Sequence, residues 1–292
     1  MKSHILNQIF LPLLCAMIAI ISEPAFAQNA DLPDLRSAIS LHVPFDGGFD
    51  ARLATGTDGH IYTGNTSERK EVRKGNHCSR VTIAKGAGKF GDALRFSDKG
   101  PETVFYHGSN MAYRPADWSG TVSFWLKLTP DEDLKPGYCD PIQITEKAWN
   151  DAALFVDFDK TLPRDFRLGV FADYRFWNPT DIAWEKLPVA DRPMVVVQKP
   201  PFSRDQWTHV AFTYEGINKK DSEPATCILY LNGKSTGELR KPMQFHWNTD
   251  HAAIMLGLEY IGDLDDLAVF SRTLSPKEIQ QLFELPNGVS GL

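Results

Sequence analysis

The chain has 292 residues, with 31 Lys and Arg against 37 Asp and Glu, for a formal net charge of -6. Mild acidity without a run or helix of clustered basic residues argues against nucleic acid or an anionic membrane surface as partner. Nothing resembles a linker, a repeat or a low-complexity block between about Ser37 and Leu285, so one domain of ordinary size is the simplest organisation.

Residues 1–27 read as a signal peptide. Lys2 precedes an apolar run from Ile5 to Ile21, and Ser22-Glu-Pro-Ala-Phe-Ala27 gives an A-x-A exit ahead of Gln28. The run is short for a membrane span of roughly 20 residues, so cleavage and export are expected, to the periplasm or the exterior. Cys15 follows Leu14 rather than a small residue, which argues against lipidation. Lys2 and Glu23 cancel, so the exported chain keeps the charge of -6. Export leaves Cys78, Cys139 and Cys227, an odd set without zinc-site spacing. No disulfide framework is expected, because a domain of this size is held by its core.

Residues 28–36 are read as a short leader and residues 37–285 as the domain. Period-two alternation marks strands. Thr121 to Leu128 places Val122, Phe124, Leu126 and Leu128 on one face and Ser123, Trp125 and Lys127 on the other. Val210, Phe212 and Tyr214 alternate with Ala211 and Thr213 in the same way. Further short runs at Ala93–Phe96, Thr103–Tyr106, Arg167–Phe171 and Met194–Val197 suggest two packed antiparallel sheets. Asn232-Gly233 signals a type I′ hairpin turn, which needs positive φ at both residues. Ser275-Pro-Lys-Glu278 fits a capping box, and Ile279, Leu282 and Phe283 give the short helix behind it an apolar face. Residues 286–292 form a breaker-rich tail to which no structure is assigned.

The succession Asp205 to Tyr214, Ile228 to Lys234 and Gly262 to Ile279, with Ser40 to Gly47, Gly88 to Phe96 and Gly120 to Trp125 before it, resembles the laminin-G-like domains of the concanavalin A-like lectin/glucanase superfamily. The resemblance implies a two-sheet antiparallel jelly-roll sandwich with a short C-terminal helix. It does not fix a function, since that class contains binders, enzymes and adhesion modules. Residues 130–201 depart from the generic pattern and read as a long elaboration with its own aromatics, where a distinctive function is expected.

Three constellations carry chemistry. Asp265 and Asp266 open a strand, so one of them lies on a core-facing side and needs donors or a cation. The resemblance implies calcium near such a late pair and the early Phe45-Asp46-Gly47, giving Asp46, Asp265 and Asp266 as candidate ligands with a structural role. The alternative is that these acids accept backbone amides.

Asp157 and Asp159 fall on one face of Ala153 to Lys160, roughly 7 Å apart along a strand. Two carboxylates so placed are candidates for glycoside hydrolysis. The glucanases of the resembled class carry Glu-x-Asp-x-x-Glu and its lyases other Arg, Gln-x-His and Tyr-Lys patterns, neither of which stands here. The alternative is a solvated strand face or an ion pair.

Tyr138, Trp149, Phe171, Tyr174, Phe176, Trp177 and Trp184 crowd the elaborated middle. An indole face stacks on a sugar ring while a neighbouring amide or acid takes hydroxyls, so Trp149, Asn150, Trp177, Asn178 and Trp184 are the candidate ligand contacts. Trp125 and Trp207 read as buried anchors. His209 lacks nucleophile-elbow or reactive-cysteine context and reads as a satisfied sheet histidine. Asp131-Glu-Asp133 reads as a solvated turn, and Asn65-Thr-Ser67 as a glycosylation sequon.

Together these readings predict an exported, monomeric, non-catalytic polysaccharide-binding protein. The alternatives are a glycoside hydrolase or lyase using Asp157 and Asp159, and an extracellular adhesion module.

Overall fold

The computed structural model describes Met1, residues 32–65 and residues 72–292. The expected signal peptide with Cys15, residues 28–31 of the leader, and Thr66 and Ser67 of the sequon lie outside the described residues. Residues 32–292, as far as described, form one compact unit. It begins with helix α1, Leu32–Ser37, and continues with strands β1 Ile39–Val43, β2 Leu53–Ala54, β3 Tyr62–Asn65, β4 Arg73–Lys74, β5 Val81–Ala84 and β6 Ala93–Phe96. Next come β7 Glu102–His107, β8 Trp118–Lys127, helix α2 Pro130–Asp133, β9 Cys139–Thr145, β10 Ala153–Phe158 and β11 Phe166–Phe171. Helix α3 Tyr174–Trp177, β12 Met194–Val197, β13 Thr208–Ile217, β14 Pro224–Leu231, β15 Lys234–Pro242, β16 Ala253–Leu258, β17 Gly262–Phe270 and helix α4 Pro276–Glu284 complete it.

The strands form two antiparallel sheets. One runs β15-β14-β13-β8-β17-β1-β2, with β6 also on β17 and β5 on β6. The other runs β12-β11-β10-β9-β16-β7-β3-β4. The alternation in β8 explains the packing: Val122, Phe124, Leu126 and Leu128 face the inter-sheet core, with Ile142, Ile144, Leu154 and Val156 of the opposite sheet in the same cluster. The two packed antiparallel sheets inferred from alternation, and the jelly-roll sandwich that the resemblance implies, are the fold observed.

The outer face of the nine-stranded sheet is closed by α4. Ser275 and Glu278 form the expected capping box, and Ile279 and Leu282 pack with Ala211, Tyr230, Ala268 and Phe270. On the same face Trp125 stacks on Phe283 at 5.8 Å, and His209 Nε2 meets Ser123 Oγ at 2.9 Å. Burial pushes the His209 pKa down to about 3, so its role is that of a neutral sheet histidine. The β14–β15 turn has φ of 49° at Asn232 and 77° at Gly233, as its sequence demands. Cys78, Cys139 and Cys227 are free and buried.

Three expectations need correction. Residues 130–201 are not chiefly an elaboration, because they supply β9, β10, β11 and β12, half of the second sheet. The runs read as strands at residues 167–171 and 194–197 are β11 and β12 of this sheet, and β10 and β11 are buried on both faces. The longest stretch of residues 130–201 outside the sheet is the segment between β11 and β12. The tail is also structured: Val289–Gly291 forms a 3-10 turn, Val289 is buried, and its N–H donates to Asp266 Oδ2 at 2.9 Å. The acidic run is the helix α2, where Asp131 accepts from Arg164 N and Arg204 bridges Glu132 and Asp133.

Candidate functional site

The outer face of the eight-stranded sheet has no helix comparable to α4 across it among the described residues. Over β10–β12 it carries a separate apolar cluster of Ala153, Phe155 and Phe171, packed by Trp177, Trp184 and Met194 from the segment between β11 and β12 and its junction with β12. Phe155 stacks on Phe171 at 5.5 Å. Its cross-strand partner is Gly169, and a Cβ there would lie 2.2 Å from the Phe155 ring, so only glycine lets the ring lie across β11. Trp149 stands edge-on to Phe171 at 5.3 Å and to Trp184 at 5.5 Å. Arg192 lies 4.3 Å over the Trp184 ring and backs it.

A groove of about 540 Å³ opens beside this cluster. That volume is typical of small-ligand sites. Trp149, Trp184, Phe155, Met194 and Leu258 give it apolar walls, and Tyr138, Asp140, Gln143, Asp157, Lys160 and Arg167 supply polar groups. Glu185 and Glu259 stand at its edges.

Asp157 and Arg167 are register partners on β10 and β11. Arg167 Nε donates to Asp157 Oδ1 at 2.8 Å, and a second guanidinium bond reaches Oδ2. Asp159 approaches the same guanidinium at 3.5 Å. Burial opposes the charge on Arg167, but its bond to Asp157 and the two acid charges outweigh that and raise its pKa. Tyr138 lies flat over the guanidinium at 4.9 Å. Asp140 sits on the neighbouring strand, where packing pushes its carboxyl well above the usual range and the Asp157 charge adds to the rise. Burial likewise raises Asp157, against the pull of Arg167.

The sequence-derived candidates separate here. Trp149 and Trp184 line the groove, with Trp149 among the most exposed large apolar residues. Trp177 donates its indole N–H to the Asn150 carbonyl at 2.8 Å and packs on Phe171. Asn178 is buried, its amide accepting from Ile182 N and donating to Ile182 O. Trp177, Asn150 and Asn178 thus hold the segment that presents Trp184. Asp157 and Asp159 do share a face, as alternation required, but both serve Arg167. Sequence reasoning missed Asp140, Gln143, Phe155 and Arg167, each of which lies alone in the sequence pattern and becomes a neighbour only through strand pairing.

The candidate calcium ligands lie at the other sheet. Asp46 Oδ1 accepts from Asp92 N at 2.9 Å, and Asp265 Oδ2 from Phe90 N at 3.0 Å, so both grip one loop. Gly88 and Gly91 make that approach possible, since a Cβ at either would meet Asp265 or Asp46. Asp266 turns elsewhere, to His42 Nε2 at 2.9 Å and to Val289 N. Among the described residues no three His, Cys, Asp or Glu side chains converge as a metal site. A calcium ion would have to be held by Asp46 and Asp265 with main-chain carbonyls, without Asp266.

No curated protein matches the chain. Among solved structures, domain 4 of a GH43 extracellular arabinanase from Geobacillus stearothermophilus, solved with arabinotriose, aligns with a TM-score of 0.50 and 16% identity over 84% of this chain and 98% of that one. The receptor-binding domain of botulinum neurotoxin C/D mosaic serotype aligns with a TM-score of 0.55 and 14% identity over 85% of this chain and 51% of that one. The binding domain of botulinum neurotoxin DC, in complex with SialylT, aligns with a TM-score of 0.55 and 12% identity over 85% and 52%. The chain therefore spans about half the length of the neurotoxin domains. At such identities these likenesses establish the fold. A family model matches residues 109–280, more than half of the sequence, and the chain belongs to the concanavalin A-like lectin/glucanases superfamily.

Proposed function

We propose that the protein is an exported, non-catalytic carbohydrate-binding module that holds an uncharged sugar in the groove beside Trp149 and Trp184. The observation that carries this reading is the pairing of indole walls with a fixed polar floor. Apolar sugar faces pack on the aromatic rings, and hydroxyls bond to Gln143, Asp140 and the Asp157–Arg167 pair. The pair is locked before binding, so little order is lost when a ligand arrives. Sugar complexes of the arabinanase domain and of a neurotoxin binding domain agree with a lectin-like role for this fold. Among the described residues no helix is long and apolar enough to cross a membrane. Affinity electrophoresis through gels containing neutral and acidic polysaccharides tests the reading. Retardation by a neutral polymer, lost in Trp184→Ala, supports it, and free migration through every gel refutes it.

A second reading has one specific support, the raised carboxyl of Asp140 beside Asp157 in an open groove, the combination from which glycosidases draw an acid. Against it, both Asp157 oxygens are held by Arg167, so this carboxylate is not free to attack. Release of reducing ends from a retained polysaccharide, abolished in Asp140→Asn, would establish hydrolysis instead. Calcium at Asp46 and Asp265, in a structural role, remains part of the proposal.

A further inference from the structure

A second groove, of about 410 Å³, opens on the same sheet face, with Phe105 and Met255 in it and His107, Glu146, Asp250 and His251 around it. Asn65 lines both grooves. Strand register joins them more closely. Tyr62 pairs with Phe105, Phe105 with Met255, Met255 with Gln143, Gln143 with Phe155, Phe155 with Gly169 and Gly169 with Met194. These residues form one straight row across β3, β7, β16, β9, β10, β11 and β12, and register partners point to the same side of a sheet. Six steps of about 4.8 Å make the row roughly 30 Å long. The first groove takes one end of it and the second takes the other, and they meet where Gln143 adjoins Met255.

Resting on the carbohydrate-binding reading, we propose that the two grooves are a single cleft that takes the interior of a linear, uncharged polysaccharide laid across the strands. Aromatic surface recurs along the row: Phe155 under Trp149 at one side, and Phe105 with Tyr62 stacked beside it at 5.8 Å at the other. The charges select against acidic chains. Glu185 flanks the first groove and Glu146 and Asp250 the second, while the Glu259 charge is met by Lys99 at 3.2 Å and the Arg167 charge by Asp157 and Asp159. Lys160, held over Tyr138 at 5.4 Å, does not offset that excess.

Calorimetric titration with cello-, xylo- and arabino-oligosaccharides, each as a trisaccharide and a hexasaccharide, tests the proposal. A trisaccharide fills one groove, so the bound hexasaccharide is expected to be at least about tenfold tighter. Phe105→Ala should remove that advantage and leave trisaccharide affinity unchanged, which also certifies the fold of the variant. His107→Ala, on the same groove, should weaken the hexasaccharide in the same selective way. Equal affinities for the two lengths, or a length advantage that survives both substitutions, would overturn the single cleft while leaving the binding function standing. Failure to bind any sugar of the series would overturn both.

Discussion

Asp157 and Arg167 face each other as register partners across β10 and β11, and two guanidinium bonds lock the carboxylate on the outer face of the sheet. Both side chains are almost fully withdrawn from solvent. Arg167→Ala should therefore strand a buried acid and cost about 3–5 kcal/mol of stability, measured by urea unfolding. The double change Asp157→Leu with Arg167→Met should cost far less, since it removes both charges together. A small loss in Arg167→Ala would show that water reaches the acid.

Trp184 and Asn178 lie in one segment but perform different tasks. Trp184→Ala should weaken sugar binding by about tenfold or more, with unfolding little changed. Asn178→Ala leaves Ile182 N and O without their partners, and should cost about 1–3 kcal/mol of stability. Calorimetry and thermal unfolding on the two variants check the division, which fails if Asn178→Ala alters affinity in a fully stable protein.

Asp265 supplies a pH dependence. Burial, then the neighbouring Asp266 charge, raise its carboxyl to about 7, against the pull of the Phe90 N–H and other backbone donors. Its folded value exceeds its unfolded one near 3.8. Its contribution to stability is thus complete below about pH 4 and is lost as pH rises through about 7. In chelator, Asp265→Asn should flatten the stability profile between these values. A calcium ion held by Asp46 and Asp265 would favour the ionised acid and reverse that slope. A profile identical with calcium and with chelator would count against the metal.

The C-terminal residues contribute to stability. Removing residues 286–292 exposes the surface that Val289 covers and takes a donor from Asp266, and should cost about 2–4 kcal/mol. Gly288→Ala should reproduce part of this, because Gly288 has φ of 58° and a Cβ there would lie 2.4 Å from Asp266 Oδ2. Unfolding of the truncated chain at the same urea concentration as the parent would refute the account.

The sandwich was legible in the sequence wherever large apolar residues alternate with small or polar ones, as in β8 and β13, although both faces of these strands are buried. Turn and cap chemistry was equally readable, because Asn232-Gly233 and Ser275-Pro-Lys-Glu278 act through their own backbone. The groove was only half legible. Trp149 and Trp184 could be singled out as aromatics beside polar residues, yet nothing local separated them from Trp177, whose indole turns inward to Asn150. Gln143, Met255 and Phe105 are far apart in sequence and meet only through strand pairing, so no spacing rule could have joined them. The tail was unreadable because a single buried Val289 among Pro, Asn and Gly leaves no period.

Arg36 donates to the carbonyl of Leu292 at 2.7 Å. Entry to and exit from the sandwich are therefore adjacent, on the sheet that bears α4, while the row from Tyr62 to Met194 belongs to the other sheet. The two ends can be spliced by a short flexible linker and the chain reopened in the exposed segment 220–223 between β13 and β14, giving a circular permutant that keeps every register pair of the groove. For the same reason the module can be fused at either end, or carried in tandem, with the groove facing away from the splice.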